Sequence, residues 1–296
     1  MANSYLVEPT KAVAAPRRWA NHAIGDQPHV TIEDLQNGLT VSLIATRRAD
    51  FVFCVADERL ADVIDRNREN QFDFLPVVDT PTDDIATSGR IAGLLDISRY
   101  RNESKIDGLI SAVMQPLSEE NLIGAGASIL AFVRDADRHG CRLIVSDCKI
   151  SGLVTLSDLQ RLPVRAALFG LVTNLEIIMI EVIRRVFGST EDWFDRLSPG
   201  RQQKVRETIE EAQRGDRFVD ALLFTQIVDK ATIIRRSPLS PGKIHQRDIK
   251  KIETLRNGVA HANDYADSPD AAKQTCEAVR LIERWSDHFS QWLKNI

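Results

Sequence analysis

The chain has 296 residues, 43% of them hydrophobic and 27% charged, with a formal net charge of −4. Such a length points to two domains and such a composition to an ordinary soluble globular protein. The charge is uneven: residues 1–162 hold 17 Lys+Arg against 23 Asp+Glu, and residues 163–296 hold 21 against 19. This makes the back half the better side for a polyanion, but it is no DNA-binding footprint.

Residues 1–30 mix Pro9, Pro16, Pro28 and Gly25 with charges and show no sustained period, so they read as an N-terminal arm. Met1 to Trp19 has no continuous apolar core of the kind a secretory signal needs. The four cysteines, Cys54, Cys141, Cys148 and Cys276, form neither a C-x-x-C pair nor a zinc-spaced cluster. They are expected to be reduced, buried thiols of a cytoplasmic protein, with no metal site.

From about Thr31 two segments resemble each other. Leu75-Pro76-Val77-Val78-Asp79 is followed by Gly93-Leu94-Leu95-Asp96-Ile97-Ser98-Arg99. Leu143-Ile144-Val145-Ser146-Asp147 is followed by Gly152-Leu153-Val154-Thr155-Leu156-Ser157-Asp158. Each is a short β-branched run, a turn, a second run opening on Gly and a polar helix start. A helical stretch precedes each, Leu60–Asn70 and Ser128–His139, and a polar loop, Thr80–Arg90, lengthens the first copy. The internal repeat means two copies of one α/β unit packed together.

These residues resemble the cystathionine-β-synthase-type (CBS) domain over residues 31–165. The resemblance implies a tandem, regulatory pair that binds adenosine-containing ligands (AMP, ADP or ATP) between its copies. Gly152, Thr155 and Asp158 stand where ligand-binding units use them. Gly152 would permit close approach. Asp158 would accept from vicinal ribose hydroxyls, and the Thr155 hydroxyl or the helix start would meet phosphate. The first copy departs from the pattern: Asp96 would repel phosphate and Arg99 cannot accept from ribose. The second site is therefore expected to hold the nucleotide. A degenerate pair serving only as a dimer scaffold is the competing reading.

After Pro163 the pattern is helical to the end. Expected helices are Val164–Phe187, Ser198–Gln213, Phe218–Arg235, His245–Ala262 and Pro269–Leu293, with Ile249, Ile252, Leu255 and Val259 at helical spacing. The stretch Leu168–Val186 is the most apolar, but Asn174, Glu176, Glu181, Arg184 and Arg185 interrupt it, so it reads as a buried helix and not a membrane span. The expected fold class is α+β and multi-domain: a tandem α/β pair at 31–165, then an all-α bundle at 166–296.

On a late helix of this bundle lies Leu255-Arg256-Asn257-Gly258-Val259-Ala260-His261. Arg256, Asn257 and His261 resemble the Arg-Asn-x-x-x-x-His-type motif of the HEPN (higher eukaryotes and prokaryotes nucleotide-binding) superfamily over residues 166–296. Many members are metal-independent ribonucleases. The resemblance implies an endoribonuclease needing no cofactor: His261 as general base or acid, Arg256 holding the non-bridging oxygens, Asn257 orienting either. DNA, lacking the 2′-hydroxyl, should not be cut. Positions five apart lie about 140° around a helix, so the expected site is composite, shared by two protomers of a homodimer, with Gly258 at a close helix crossing. Glu176 is a minor supporting candidate. Arg235, Arg236, Lys243, Arg247, Lys250 and Lys251 are candidates for RNA phosphate contacts or for a solvated basic face. By resemblance the layout suggests a regulated toxin or defence effector, with an antitoxin or partner protein. Two rivals stand beside it. One is a non-catalytic nucleotide sensor whose helical part recruits a partner. The other is a nucleotide transferase, for which the chain has no Gly-rich phosphate loop.

Overall fold

The computed structural model describes residues 32–79, 89–101, 107–188, 190–215, 220–237, 244–261 and 264–295. The expected arm and Lys243 lie outside the described residues.

The front half holds two four-stranded sheets. The strands are β1 (Thr46–Arg47), β2 (Cys54–Val55), β3 (Phe74–Val78), β4 (Ile91–Asp96), β5 (Gln115–Pro116), β6 (Leu122–Gly124), β7 (Cys141–Ser146) and β8 (Lys149–Thr155). Their orders are β2-β3-β4-β5 and β6-β7-β8-β1. In each sheet the first pair is parallel and the next two are antiparallel. The two sheets have the same plan, down to a register shift at Val77/Val78 in one and Ile144/Val145 in the other.

The repeat is thus two β-β-α-β-β modules that exchange their first strands. β1 of the first module pairs with β8 of the second, and β5 of the second pairs with β4 of the first. Helix α2 (Leu60–Asn67) belongs to the first module; α3 (Ile110–Val113) and α4 (Ile129–Val133) flank the exchanged strand of the second. The stretch Ser128–His139 is shorter as a helix than its pattern suggests. Ser128 caps it by accepting from the Ala131 N–H, and the chain leaves the helix after Val133.

Both sheets turn an apolar face toward each other. Val78, Ile91 and Leu94 of one meet Cys141, Leu143 and Leu153 of the other. The first module keeps a small core of its own around Leu60, Val63, Leu75, Leu95 and Ile110. The second does not: Ile129, Phe132, Ile144 and Val154 belong to a cluster that runs on without a break to Leu175, Ile252 and Phe289 of the helical half.

That half comprises α5 (Leu162–Val186), α6 (Thr190–Phe194), α7 (Pro199–Arg214), α8 (Ile227–Arg235), α9 (Gln246–Ala260) and α10 (Pro269–Lys294), with α1 (Ile32–Gly38) also packed on α5. Helix α5 is long and apolar enough to cross a membrane by length and composition, with a mean hydropathy of 1.9 in its most apolar window. Here it is the central helix, in contact with α8, α9 and α10. It runs through position 165/166, expected as a domain boundary.

Pro163, Pro199 and Pro269 all sit in first turns, where a missing N–H costs nothing. The expected single helix Phe218–Arg235 is instead split. Asp220 caps a short 3-10 turn at Ala221–Phe224, and α8 restarts at a capping box in which Asp229 accepts from the Gln226 N–H at 2.9 Å. Local side-chain acceptors compete here with helix continuation.

Two bidentate ion pairs clamp the second module to α10. Arg280 donates to Asp137 at 2.8 and 2.9 Å, and Arg134 donates to Glu283 at 2.9 and 2.8 Å. The Arg280 hydrogen bonds hold the Asp137 carboxyl below its usual range against the opposing effect of burial. A depressed carboxyl contributes stability in full above its unfolded value, about 3.9, and loses it as pH falls through the lower folded value. The stability difference between wild type and Asp137→Asn, read by urea denaturation, should therefore shrink on acidification below that range.

Three thiols are buried as expected, and burial pushes Cys54 and Cys141 up to about 12 and Cys276 to about 11. Cys148 is a correction: it is exposed, on the two-residue turn between β7 and β8, where Asp147 and Cys148 both have positive φ (49° and 59°). Such turns favour Gly at the second position. Native protein should show one fast thiol toward an aromatic disulfide reagent, and Cys148→Gly should remove it while keeping the fold.

Candidate functional site

The bundle site is built where α9 ends. Arg256 sits on its last turns with a side chain 40% exposed. Its Nη1 donates to Asn257 Oδ1 at 3.3 Å, and its Nε lies 3.8 Å from Glu176 Oε1 on α5. The other oxygen of Glu176 accepts from Lys230 Nζ of α8 at 3.1 Å, and Lys230 also donates to the Thr225 carbonyl at 2.6 Å. Lys230 is buried, with 2% of its side chain exposed. A sealed ammonium thus fixes a carboxylate that in turn faces a solvent-reachable guanidinium.

His261 is the first residue past α9. Its backbone N–H donates to Asn257 O at 3.1 Å, its side chain is exposed, and no described residue hydrogen-bonds its imidazole. The helix end is closed instead by Arg165 of α5, which donates to the carbonyls of Gly258 (2.8 Å) and Val259 (3.3 Å) and stacks 4.9 Å from the Tyr265 ring centroid. A cation there also meets the negative end of the helix dipole. The Tyr265 hydroxyl donates to the Leu159 carbonyl, which ties this corner to the second module, and burial pushes that hydroxyl up to about 12. The close approach expected at Gly258 is made within one chain: a Cβ there would lie 2.9 Å from Tyr265 Cβ.

The cationic run is partly tied to neighbouring groups. Arg235 donates to Gln246 and Arg236 to the Arg196 carbonyl. Lys251 pairs with Glu277 at 2.6 Å, while Arg247 and Lys250 are exposed on the first turns of α9.

In the paired modules the equivalent strand ends open into two clefts. One, of ≈ 370 Å³, lies between Phe51, Phe72 and Phe74 on one side and Thr155, Ser157 and Asp158 on the other. Thr155 Oγ1 lies 2.8 Å from Ser157 Oγ. Asp158 is buried and already engaged: Oδ2 accepts from the Thr155 N–H (2.7 Å) and hydroxyl (3.2 Å), and Oδ1 accepts from Arg161 Nε (2.6 Å). Gly152 meets the exchanged strand and no cleft, since a Cβ there would lie 2.8 Å from the Thr46 carbonyl oxygen.

The other cleft, of ≈ 810 Å³, carries Asp96, Arg99, Arg138 and His139. Arg99 Nε donates to Asp96 Oδ2 at 2.8 Å, so the carboxylate expected to repel phosphate is held by a cation. Among the described residues, no group of three His, Cys, Asp or Glu side chains converges as a metal site would require.

The sequence reading missed Lys230 and Arg165. A lysine inside the apolar-periodic stretch Ile227–Ile234 is the trace that points to the first; nothing local marks the second.

No family model matches this chain, and no curated protein sequence matches it. Solved structures similar to it include CBS-domain proteins. The CBS domain of a bacterial CNNM/CorC family Mg2+ transporter in complex with ATP is 20% identical, covering 43% of this chain and 88% of that one, with a TM-score of 0.35. TA0289, a CBS-domain protein of unknown function from Thermoplasma acidophilum, is 23% identical, covering 44% and 71%, at 0.33. A putative acetoin utilization protein from Vibrio cholerae is 16% identical, covering 41% and 87%, at 0.32.

Proposed function

We propose that this chain is a nucleotide-responsive regulatory protein whose paired α/β modules bind an adenine nucleotide and whose helical half acts on the result. The observation that carries the reading is the ≈ 370 Å³ cleft at Thr155, within the range of about 300–1,000 Å³ of small-molecule sites. Phe51 and Phe74 offer faces for a base, and Thr155 and Ser157 offer hydroxyls to ribose or phosphate. Asp158 holds Thr155 in place and is not itself left open to the ribose. Because the second module shares its core with the bundle, a ligand that favours one packing of that module also biases the bundle.

The effector reading is a metal-independent endoribonuclease, and one observation favours it. Arg256 and His261 both reach solvent at one helix end, and Arg256 faces a carboxylate fixed by buried Lys230. Two such ends from a homodimer would supply the fork and the proton-transferring ring.

Titration with AMP, ADP and ATP tests the first reading. Tight binding weakened about tenfold in Thr155→Val, the loss of one good hydrogen bond, is expected; no saturable binding refutes it. Incubation with RNA in EDTA tests the second. Cleavage to cyclic-phosphate ends, lost in both Arg256→Ala and His261→Ala, is expected, and intact RNA leaves the chain a sensor that recruits a partner.

A further inference from the structure

Where the second module meets the bundle there is an open groove of ≈ 1020 Å³; it takes Arg138 from the edge of the Asp96 cleft and Arg247 and Lys251 from the cationic run before the Arg256 motif. Its walls come from the turn after α4, the start of α9 and the length of α10, with Leu171 and Asn174 of α5 and Gln36 of α1. It shares Asp248, Leu281 and Arg284 with a smaller cavity of ≈ 410 Å³, lined by Trp285, His288 and Phe289. The two form one trough, arginine-rich at one end and aromatic at the other.

The charges in the trough are largely settled among themselves. Lys251 holds Glu277, Arg134 holds Glu283, and Arg280 is spent on Asp137. Arg138 and Arg284 are not: both are exposed, and neither makes an ion pair with a described carboxylate. Arg284 Nε donates only to the Arg280 carbonyl, at 3.3 Å. Arg247 is 81% exposed and is paired only loosely, its Nε 3.6 Å from Asp248 Oδ1. Among the described lining carboxylates Asp287 is the one outside these close ion pairs, and its charge acts on Arg134 from a distance.

We propose that this trough binds a nucleoside phosphate, distinct from any ligand of the Thr155 cleft. The three guanidiniums, carried on three different elements, take the phosphate oxygens, and Trp285 with His288 takes the base. Guanidinium forks match phosphate geometry, and an indole face stacks on any base. Three donors from separate elements suit a compact polyphosphate better than an extended strand, whose contacts would follow one helix. Arg138 also lines the ≈ 810 Å³ cleft of Asp96 and Arg99, so one side chain borders both cavities.

The test is calorimetric titration of the full chain with ADP, inorganic triphosphate and a short single-stranded RNA, in wild type, Arg138→Gln/Arg284→Gln, Trp285→Leu and Thr155→Val. The expected result is an ADP-binding event kept in Thr155→Val and weakened at least tenfold in Arg138→Gln/Arg284→Gln. Trp285→Leu should weaken ADP but leave triphosphate unchanged. Neither arginine holds a carboxylate, so the double variant should melt as wild type does. If ADP binding in that variant equals wild type, or all ADP binding vanishes with Thr155→Val, the proposal is wrong. If only RNA binds and the double variant loses it, the trough belongs to a strand and the proposal is likewise overturned. Failure of nucleotide binding at the Thr155 cleft alone leaves the trough's result readable.

Discussion

Gly93→Val and Gly152→Val are each expected to destabilise the protein by roughly 3 kcal/mol, at the upper end of overpacking effects. The two glycines occupy the same position in the two modules, on β4 and β8, where the exchanged strands cross. A Cβ on Gly93 falls well inside contact distance of the Gln115 carbonyl oxygen; one on Gly152 lies 2.8 Å from the Thr46 oxygen and 3.2 Å from Ala45 Cβ. The obstructing atoms are mainly backbone, which cannot rotate aside, so relief requires the short strand β1 or β5 to leave its ladder. Each of those strands is only two residues long. Urea denaturation followed by circular dichroism reads the effect. Gly124→Ala, where a Cβ meets nothing within 4 Å, is the control and should stay within about 0.5 kcal/mol. Equal midpoints for all three variants would mean that the strand exchange contributes nothing.

The second large effect is expected at Lys230. Lys230→Ala leaves a cavity, an unpaired Thr225 carbonyl in a buried setting and a Glu176 carboxylate facing only Arg256 across 3.8 Å. Removing one partner of a buried pair costs about 3–5 kcal/mol. The lower end applies here, because the Glu176 side chain is 22% exposed and water screens part of the loss. Lys230→Met paired with Glu176→Gln fills the volume and removes the orphaned charge, so it should recover about half or more of the loss. A double-mutant cycle in denaturant measures the coupling. If Lys230→Met alone is as stable as Lys230→Met with Glu176→Gln, the orphaned charge costs nothing and only volume matters.

Much of the architecture was legible because its signals are periodic. The β-branched runs opening on Gly93 and Gly152 give strands, and the apolar spacing through Ile249, Ile252, Leu255 and Val259 gives α9. Prolines at 163, 199 and 269 mark helix starts. The strand exchange was not legible, since Thr46–Arg47 and Gln115–Pro116 are too short to carry any period and owe their pairing to tertiary position. The break at Asp220 to Gln226 was read as helix because its capping residues are polar side chains that a helix surface also tolerates.

At the candidate sites, the solvent exposure of Arg256 and His261 follows from their place at a helix end. The partners of Arg256 do not follow from sequence: Glu176 and Lys230 come from two other helices, 80 and 26 positions away in the chain. Gly152 and Gly258 are both places of close approach in the folded chain. What approaches them, Thr46 and Tyr265, is set by the folded chain and not by a ligand or a second protomer.

The single apolar cluster running from Val41 and Ile129 to Phe289 has a consequence for how this protein can be taken apart. A cut after residue 165 would strip the second module of the surface its inward-facing side chains, Ile129, Phe132, Ile144 and Val154, rest on. The paired modules are therefore not a cassette that can be lifted out whole, and any change of packing in the second of them is felt by the helices it was built with.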